Sequence, residues 1–199
     1  MAQMTLHLDY ALATQSHIDE DADVCGDTGL IKNTDEGVFL ALIDGLGHGP
    51  DADEIARQAR SYLEHAYRKA SLVDIIQGLH QSLRRTKGAV VALCRINTSS
   101  GELNYAGVGN ISAKLYAPNP ITFVPREGIV GDVMSSPREE TLILSPGMVL
   151  ILHSDGLPAH KDFSGALSSE RSAQAIAEGL LFEYGKDDDD VSCIVVKVD

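Results

Sequence analysis

Val38-Phe39-Leu40-Ala41-Leu42-Ile43-Asp44-Gly45-Leu46-Gly47-His48-Gly49-Pro50 is the stretch from which the fold can be read. Its apolar run is short, unbroken and preceded by the turn chemistry of Asn33-Thr34-Asp35-Glu36-Gly37, which is the pattern of a buried strand. Val24 to Ile31 is the matching run on the other side of that turn. The two predict an antiparallel hairpin that sets Asp27 and Asp44 at corresponding heights. Asp44, at the end of a core strand, should be firmly anchored. Gly45 lets the chain turn sharply and leaves its carbonyl oxygen free to ligate a cation. A glycine loop ahead of a helix can also cradle phosphate. The run from Gly45 to Gly49 lacks the Lys-Ser/Thr ending of a Walker loop, however, and misses the dinucleotide spacing.

Three further acidic signatures end apolar runs elsewhere: Gly26-Asp27, Asp155-Gly156 and the tetrad Asp187-Asp188-Asp189-Asp190. Any single Asp-Gly pair is more often a turn than a site. Together, carboxylates gathered by a fold suit hard divalent cations such as Mg or Mn, and two such ions about 3.5–4 Å apart make a phosphoester-cleaving centre. In the tetrad only one or two carboxylates can face a metal, because neighbouring strand side chains point to opposite faces. Asp187 and Asp188 read as a solvated turn.

Outward from these motifs, Leu6, Leu8, Tyr10 and Leu12 alternate with polar residues or alanine as a half-buried strand does. After Pro50 a helix is expected, opened by Asp51 with Glu54 as a capping box and with Ile55, Ala59, Leu63, Ala66 and Ala70 on its apolar face. A second helix follows Ser71 as cap, with Leu72, Ile75, Ile76, Leu79 and Leu83 at helical spacing. Both should cover one sheet. Gly88 to Val124 reads as an antiparallel meander, and Pro125 to Glu140 as a long irregular connection in which Asp132 faces water. Thr141 to Leu144 and Met148 to His153, around Ser145-Pro146-Gly147, read as another hairpin. A helix over Ser169 to Tyr184, stopped by Gly185, precedes a closing strand, Val191 to Val198. About nine strands with helices in groups point to an α+β fold, two antiparallel sheets flanked by helices in a single compact domain over residues 1–199.

Charge narrows the function. Lys and Arg number 16 against 29 Asp and Glu, and the net charge of −13 argues against nucleic acid and against anionic membranes. No apolar stretch approaches the roughly 20 residues that span a bilayer. The start, Met1 to Thr5, lacks the basic segment and apolar core of a secretory signal, so cytoplasm is the expectation. Cys25, Cys94 and Cys193 form no metal or redox spacing and read as buried thiols.

Ile43-Asp44-Gly45-Leu46-Gly47-His48-Gly49, His153-Ser154-Asp155-Gly156-Leu157 and Asp189-Asp190-Val191-Ser192 resemble the signatures of the metal-dependent PPM (type 2C) Ser/Thr phosphatases. Cys25-Gly26-Asp27 in place of a Glu-Asp opening is similar to the compact SpoIIE-type branch, in particular its short stressosome phosphatases, as are Lys87-Gly88-Ala89 and Gly107-Val108-Gly109-Asn110. The resemblance implies an α-β-β-α sandwich holding two divalent cations, Mn or Mg. It implies that Asp44 bridges both, that Asp155 and Asp189 complete one, and that Asp27 with the Gly45 carbonyl holds the other, Asp190 being a neighbour. The implied reaction is attack of a hydroxide held on the metal upon phosphoserine or phosphothreonine, with His48 as the general-acid candidate and water as the alternative proton donor. The implied partner is a phosphorylated STAS-domain protein of a stressosome-like complex. No counterpart of the phosphate-gripping arginine of eukaryotic members is found, which leaves the phosphate to the metals. A phosphatase-like module that binds a phosphorylated partner without turnover is the alternative, and a calcium-stabilised structural protein a weaker one, since the acids lack EF-hand spacing.

Overall fold

The computed structural model describes residues 5–16, 24–68 and 71–199. The first four residues, read above for a leader, and Ala70 of the first helical face lie outside them. The elements run β1 (Leu8–Gln15), β2 (Asp27–Thr34), β3 (Gly37–Gly45), α1 (Gly49–Ala66), α2 (Leu72–Ser82), β4 (Ala89–Asn97), β5 (Glu102–Val108), β6 (Ser112–Tyr116), β7 (Ile121–Phe123), β8 (Glu140–Ile143), β9 (Val149–His153), α3 (Ala173–Tyr184) and β10 (Val191–Val198). The strands form two antiparallel five-stranded sheets, ordered β1-β10-β9-β6-β7 and β2-β3-β4-β5-β8.

The unbroken apolar run of β3 is explained by burial on both faces. Val38, Leu40 and Leu42 point between the sheets and meet Leu150, Leu152, Ile194 and Val196, whereas Phe39, Ala41 and Ile43 point outward beneath α1 and α2. β10 does the same in the other sheet, with Cys193 and Val195 packed under α3. The layers are therefore α-β-β-α, and each fully buried Leu or Ile contributes about 1.5–3 kcal/mol to holding them together. Parity along β3 carries Asp44 onto the inter-sheet face, where the apolar packing ends.

Several expectations need correction. The strand expected from Val24 begins at Asp27. α1 opens at His48 as cap, with no side-chain cap bond and with Pro50 in its first turn. Proline lacks an N–H and has a helical φ, so it seats early in the helix, and Asp51 becomes a first-turn residue instead of the cap. Ser71 does cap α2, accepting from the Asp74 N–H at 3.2 Å, and the final helix starts later than expected, capped by Ser172. The meander forms only as two separate pairs, β4 with β5 and β6 with β7, and the second hairpin does not form. β5 and β6 lie in different sheets, as do β8 and β9. Gly109, at φ 106°, turns the chain out of one sheet into the other, the connection between β7 and β8 brings it back, and Ser145-Pro146-Gly147 crosses in the same direction as Gly109 a second time. The connection from Pro125 to Glu140 is also more ordered than its composition suggests: Val130 bridges Ala89, and Arg126 bridges Val108.

Candidate metal centre

Register brings the first two carboxylates together. Asp27 and Asp44 are direct partners across β2 and β3. The Gly45 N–H donates to the Gly26 carbonyl at 2.9 Å, closing the end of that pair. Glycine is required at Gly45, because a β-carbon would stand 2.4 Å from the Ala52 carbonyl of α1. In the other sheet the Ser192 N–H donates to Ser154 Oγ at 3.0 Å and the Ser154 N–H to the Ser192 carbonyl at 3.1 Å. These bonds tie the ends of β9 and β10 together and so place Asp155 beside Asp189 and Asp190. The two sheets meet where the Gly26 N–H donates to Asp190 Oδ2 at 2.6 Å.

Between these ends lies an open cleft of about 510 Å3, lined among others by Asp44, Gly47, Asn110, Glu127, Asp155 and Asp189. Asp27 sits behind Asp44, 4% exposed, and its Oδ2 is buried without a hydrogen-bond partner. Burial, then the charges of Asp190 and Asp155, push Asp27 up to about 7, while the neighbouring Ser154 and Ser192 hydroxyls oppose the rise without closing a well-formed bond on Oδ2. Burial, then Asp27 and Asp155, push Asp44 up to about 8. Asp189 is raised as well, by burial and by Asp155, despite Lys186 Nζ at 3.7 Å. Without a cation these carboxylates repel one another, and a buried carboxylate oxygen lacking a donor is the donor set of a hard cation.

Among the described residues no three His, Cys, Asp or Glu side chains already converge on one metal-sized point. That is compatible with Mg or Mn, which keep several waters and take only one or two carboxylates per ion. The residues present therefore fit divalent cations shared between carboxylates and water.

Other expectations sort as follows. His48 is exposed and does not line the cleft; its backbone caps α1. His153 is a buried strand residue, Asp187 and Asp188 form an exposed turn, and Asp132 is exposed on a loop, all as read. Cys94 and Cys193 are buried, whereas Cys25 is half-buried, its thiol pushed up to about 12 chiefly by burial. Two lining residues with polar side chains were missed. Asn110 Nδ2 donates to Asp155 Oδ2 at 2.9 Å and so orients that carboxylate. Its signal was available, a Gly followed by a polar residue at the end of a strand. Glu127 gave none, being in an aperiodic segment.

Comparison with known proteins agrees with this geometry. Residues 34–199 match the family of stage II sporulation protein E (SpoIIE). Phosphoserine phosphatase RsbX of Bacillus subtilis (strain 168) is 27% identical over 179 residues, 88% of either chain. A solved chain of the bacterial stressosome, a modular system adapted to control secondary messenger signalling, is 33% identical, covers 96% of this chain and 100% of its own, and superposes with a TM-score of 0.88. RsbX in complex with magnesium shares the fold, with a TM-score of 0.85 over 97% of this chain and 96% of its own at 23% identity. The chain belongs to the SpoIIE family of PP2C-type, divalent-metal-dependent protein phosphatases.

Proposed function

We propose that this protein is a cytoplasmic single-domain phosphatase that removes phosphate from serine or threonine of a STAS-domain partner in a stressosome-like assembly, using two Mn or Mg ions. The observation that carries the reading is the convergence of Asp44, Asp155 and Asp189 from both sheets on one cleft, with Asp27 paired to Asp44 and its Oδ2 buried and unpartnered. The 33% identity to a stressosome chain supports the choice of partner. Among the described residues no helix is long and apolar enough to cross a membrane.

In this reading Asp44 would serve both ions, Asp155 and Asp189 one, and Asp27 with the Gly45 carbonyl the other. When bound, the ions supply Lewis-acid polarisation and a water acidic enough to attack near neutral pH. The chain's own part is positional. Strands β3 and β9 fix Asp44 and Asp155 from opposite sheets, Asn110 holds Asp155 by its Oδ2, and Asp190 spends a carboxylate oxygen on Gly26 instead of a cation. His48 stands outside the lining, so the leaving alkoxide takes its proton from solvent at the open mouth of the cleft.

The test is release of phosphate from a phosphoserine STAS-domain protein with Mn present. Asp44→Asn should lower turnover by at least ~10³-fold and weaken Mn binding by calorimetry. Retained activity in that variant would sink the assignment of Asp44.

A further inference from the structure

Even with two divalent cations on the carboxylates of the proposed centre, a chain of net charge −13 stays negative, so a phosphate monoester approaching the cleft meets a repulsive field. A cation fixed at the mouth would offset that field. Lys87 stands beside the cleft: its side chain lines a second groove with Asp51 and Glu54, and a β-carbon built on Gly47, a cleft residue, would stand 3.6 Å from Lys87 Nζ.

The backbone around this lysine is built into the rim. The Leu46 N–H donates to the Gly88 carbonyl at 2.9 Å. The Thr86 hydroxyl donates to the Leu83 carbonyl at 2.7 Å and accepts from the Gly88 N–H at 3.0 Å. On the far side a β-carbon on Gly88 would lie 2.5 Å from Ile129 Cγ2, so the turn is wedged between Leu46 and Ile129, both lining residues. Arg85, in the same turn, is held at φ 76°, a left-handed backbone that a residue with a side chain adopts only under constraint.

Lys87 Nζ pairs with Asp51 Oδ2 at 2.9 Å, and both side chains are more than half exposed. Such a pair adds little to stability and is readily exchanged. A phosphate monoester carries a charge near −2 at pH 7, against one on Asp51. Asp51, once released, remains in the first turn of α1, where the helix dipole favours a carboxylate. We propose that Lys87 is a substrate-binding residue whose ammonium leaves Asp51 for the phosphate of the incoming phosphoserine and holds it at the cleft mouth. This rests on the phosphatase reading and adds to it the group that grips the phosphate.

The full chain with Mn and a phosphoserine peptide tests it. Lys87→Ala should raise KM roughly 10- to 100-fold, the range covered by a charge-assisted hydrogen bond, with kcat within about threefold of the parent. Lys87→Arg should recover most of the loss. Asp51→Asn should leave KM unchanged or lower it, because it removes only the competitor; if Asp51→Asn and Lys87→Ala weaken the enzyme alike, the pair is structural and the inference is wrong. A second measurement does not depend on turnover. The Kd of a peptide carrying the non-hydrolysable phosphonate analogue of phosphoserine should rise by the same factor in Lys87→Ala, with Mn binding unchanged. Equal Kd values, or no binding by the parent chain, overturn the role of Lys87. Binding without turnover keeps it and overturns the phosphatase reading instead. Should Lys87→Ala fail to fold, Lys87→Gln carries the same expectations.

Discussion

Asp27 and Asp44 face each other across one rung of an antiparallel pair, an arrangement that costs stability when both are charged. A fold keeps such a pair only where a cation or a proton offsets it. His48 illustrates the opposite case, a residue with suitable chemistry four positions from Asp44 whose side chain does not reach the cleft. His48→Ala should therefore keep kcat within about tenfold, whereas loss of a working general acid removes ~10²–10⁴-fold. A pH-rate profile of the variant decides it, since disappearance of the acid limb together with a large drop in kcat would return the proton to His48.

At the scale of elements, each helix serves a sheet more than the site. α2 packs Leu72, Ile75, Ile76 and Leu79 onto the outer face of β4 and β5 and begins at a cap whose hydroxyl satisfies the Asp74 N–H. Ser71→Ala should cost about 1 kcal/mol and lower the melting temperature by about 2–4 °C, leaving KM and Mn affinity where they were. An altered Mn affinity would mean that α2 communicates with the cleft, through the Gly131 N–H that His80 Nδ1 accepts at 3.1 Å. The crossings after Gly109 and at Ser145-Pro146-Gly147 have a larger effect at this scale, because the first of them delivers Asn110 to Asp155.

For the whole molecule, the carboxylates couple metal, pH and stability. Asp27 and Asp44 titrate higher in the folded chain, near 7 and 8, than the ordinary carboxylate value near 4 of an unfolded one, so between those limits the native state binds more protons. Their contribution is complete below about pH 4 and is lost as pH rises toward about 8. In chelator the melting temperature should thus fall from pH 5 to pH 8, and Asp44→Asn should flatten the fall. Mn, which binds the deprotonated carboxylates, should reverse the trend and at about 100 times its Kd add ~2.7 kcal/mol, or about 5–10 °C, at pH 7.5. A melting temperature in chelator that rises over this range would show that other groups control the titration. Much was legible before any coordinates. The two-sided burial of β3 follows from an unbroken run of six apolar residues, and the pairing of β2 with β3 follows from the turn chemistry between them, although the register is set by the two residues Asp35 and Glu36 that close the turn. Asp27, Asp44, Asp155 and the Asp189-Asp190 pair stood out because each ends such a run. Sheet membership was not legible, because a turn signal states that the chain reverses and not which edge receives the next strand; β6 and β8 were misplaced for that reason. Nor could local pattern show that Glu127 and Asn110 line the cleft, that His48 does not, or that Lys87 stands against Gly47, since Asn110 lies 45 positions from Asp155 and Lys87 40 from Gly47, and such distant residues meet only through the tertiary fold.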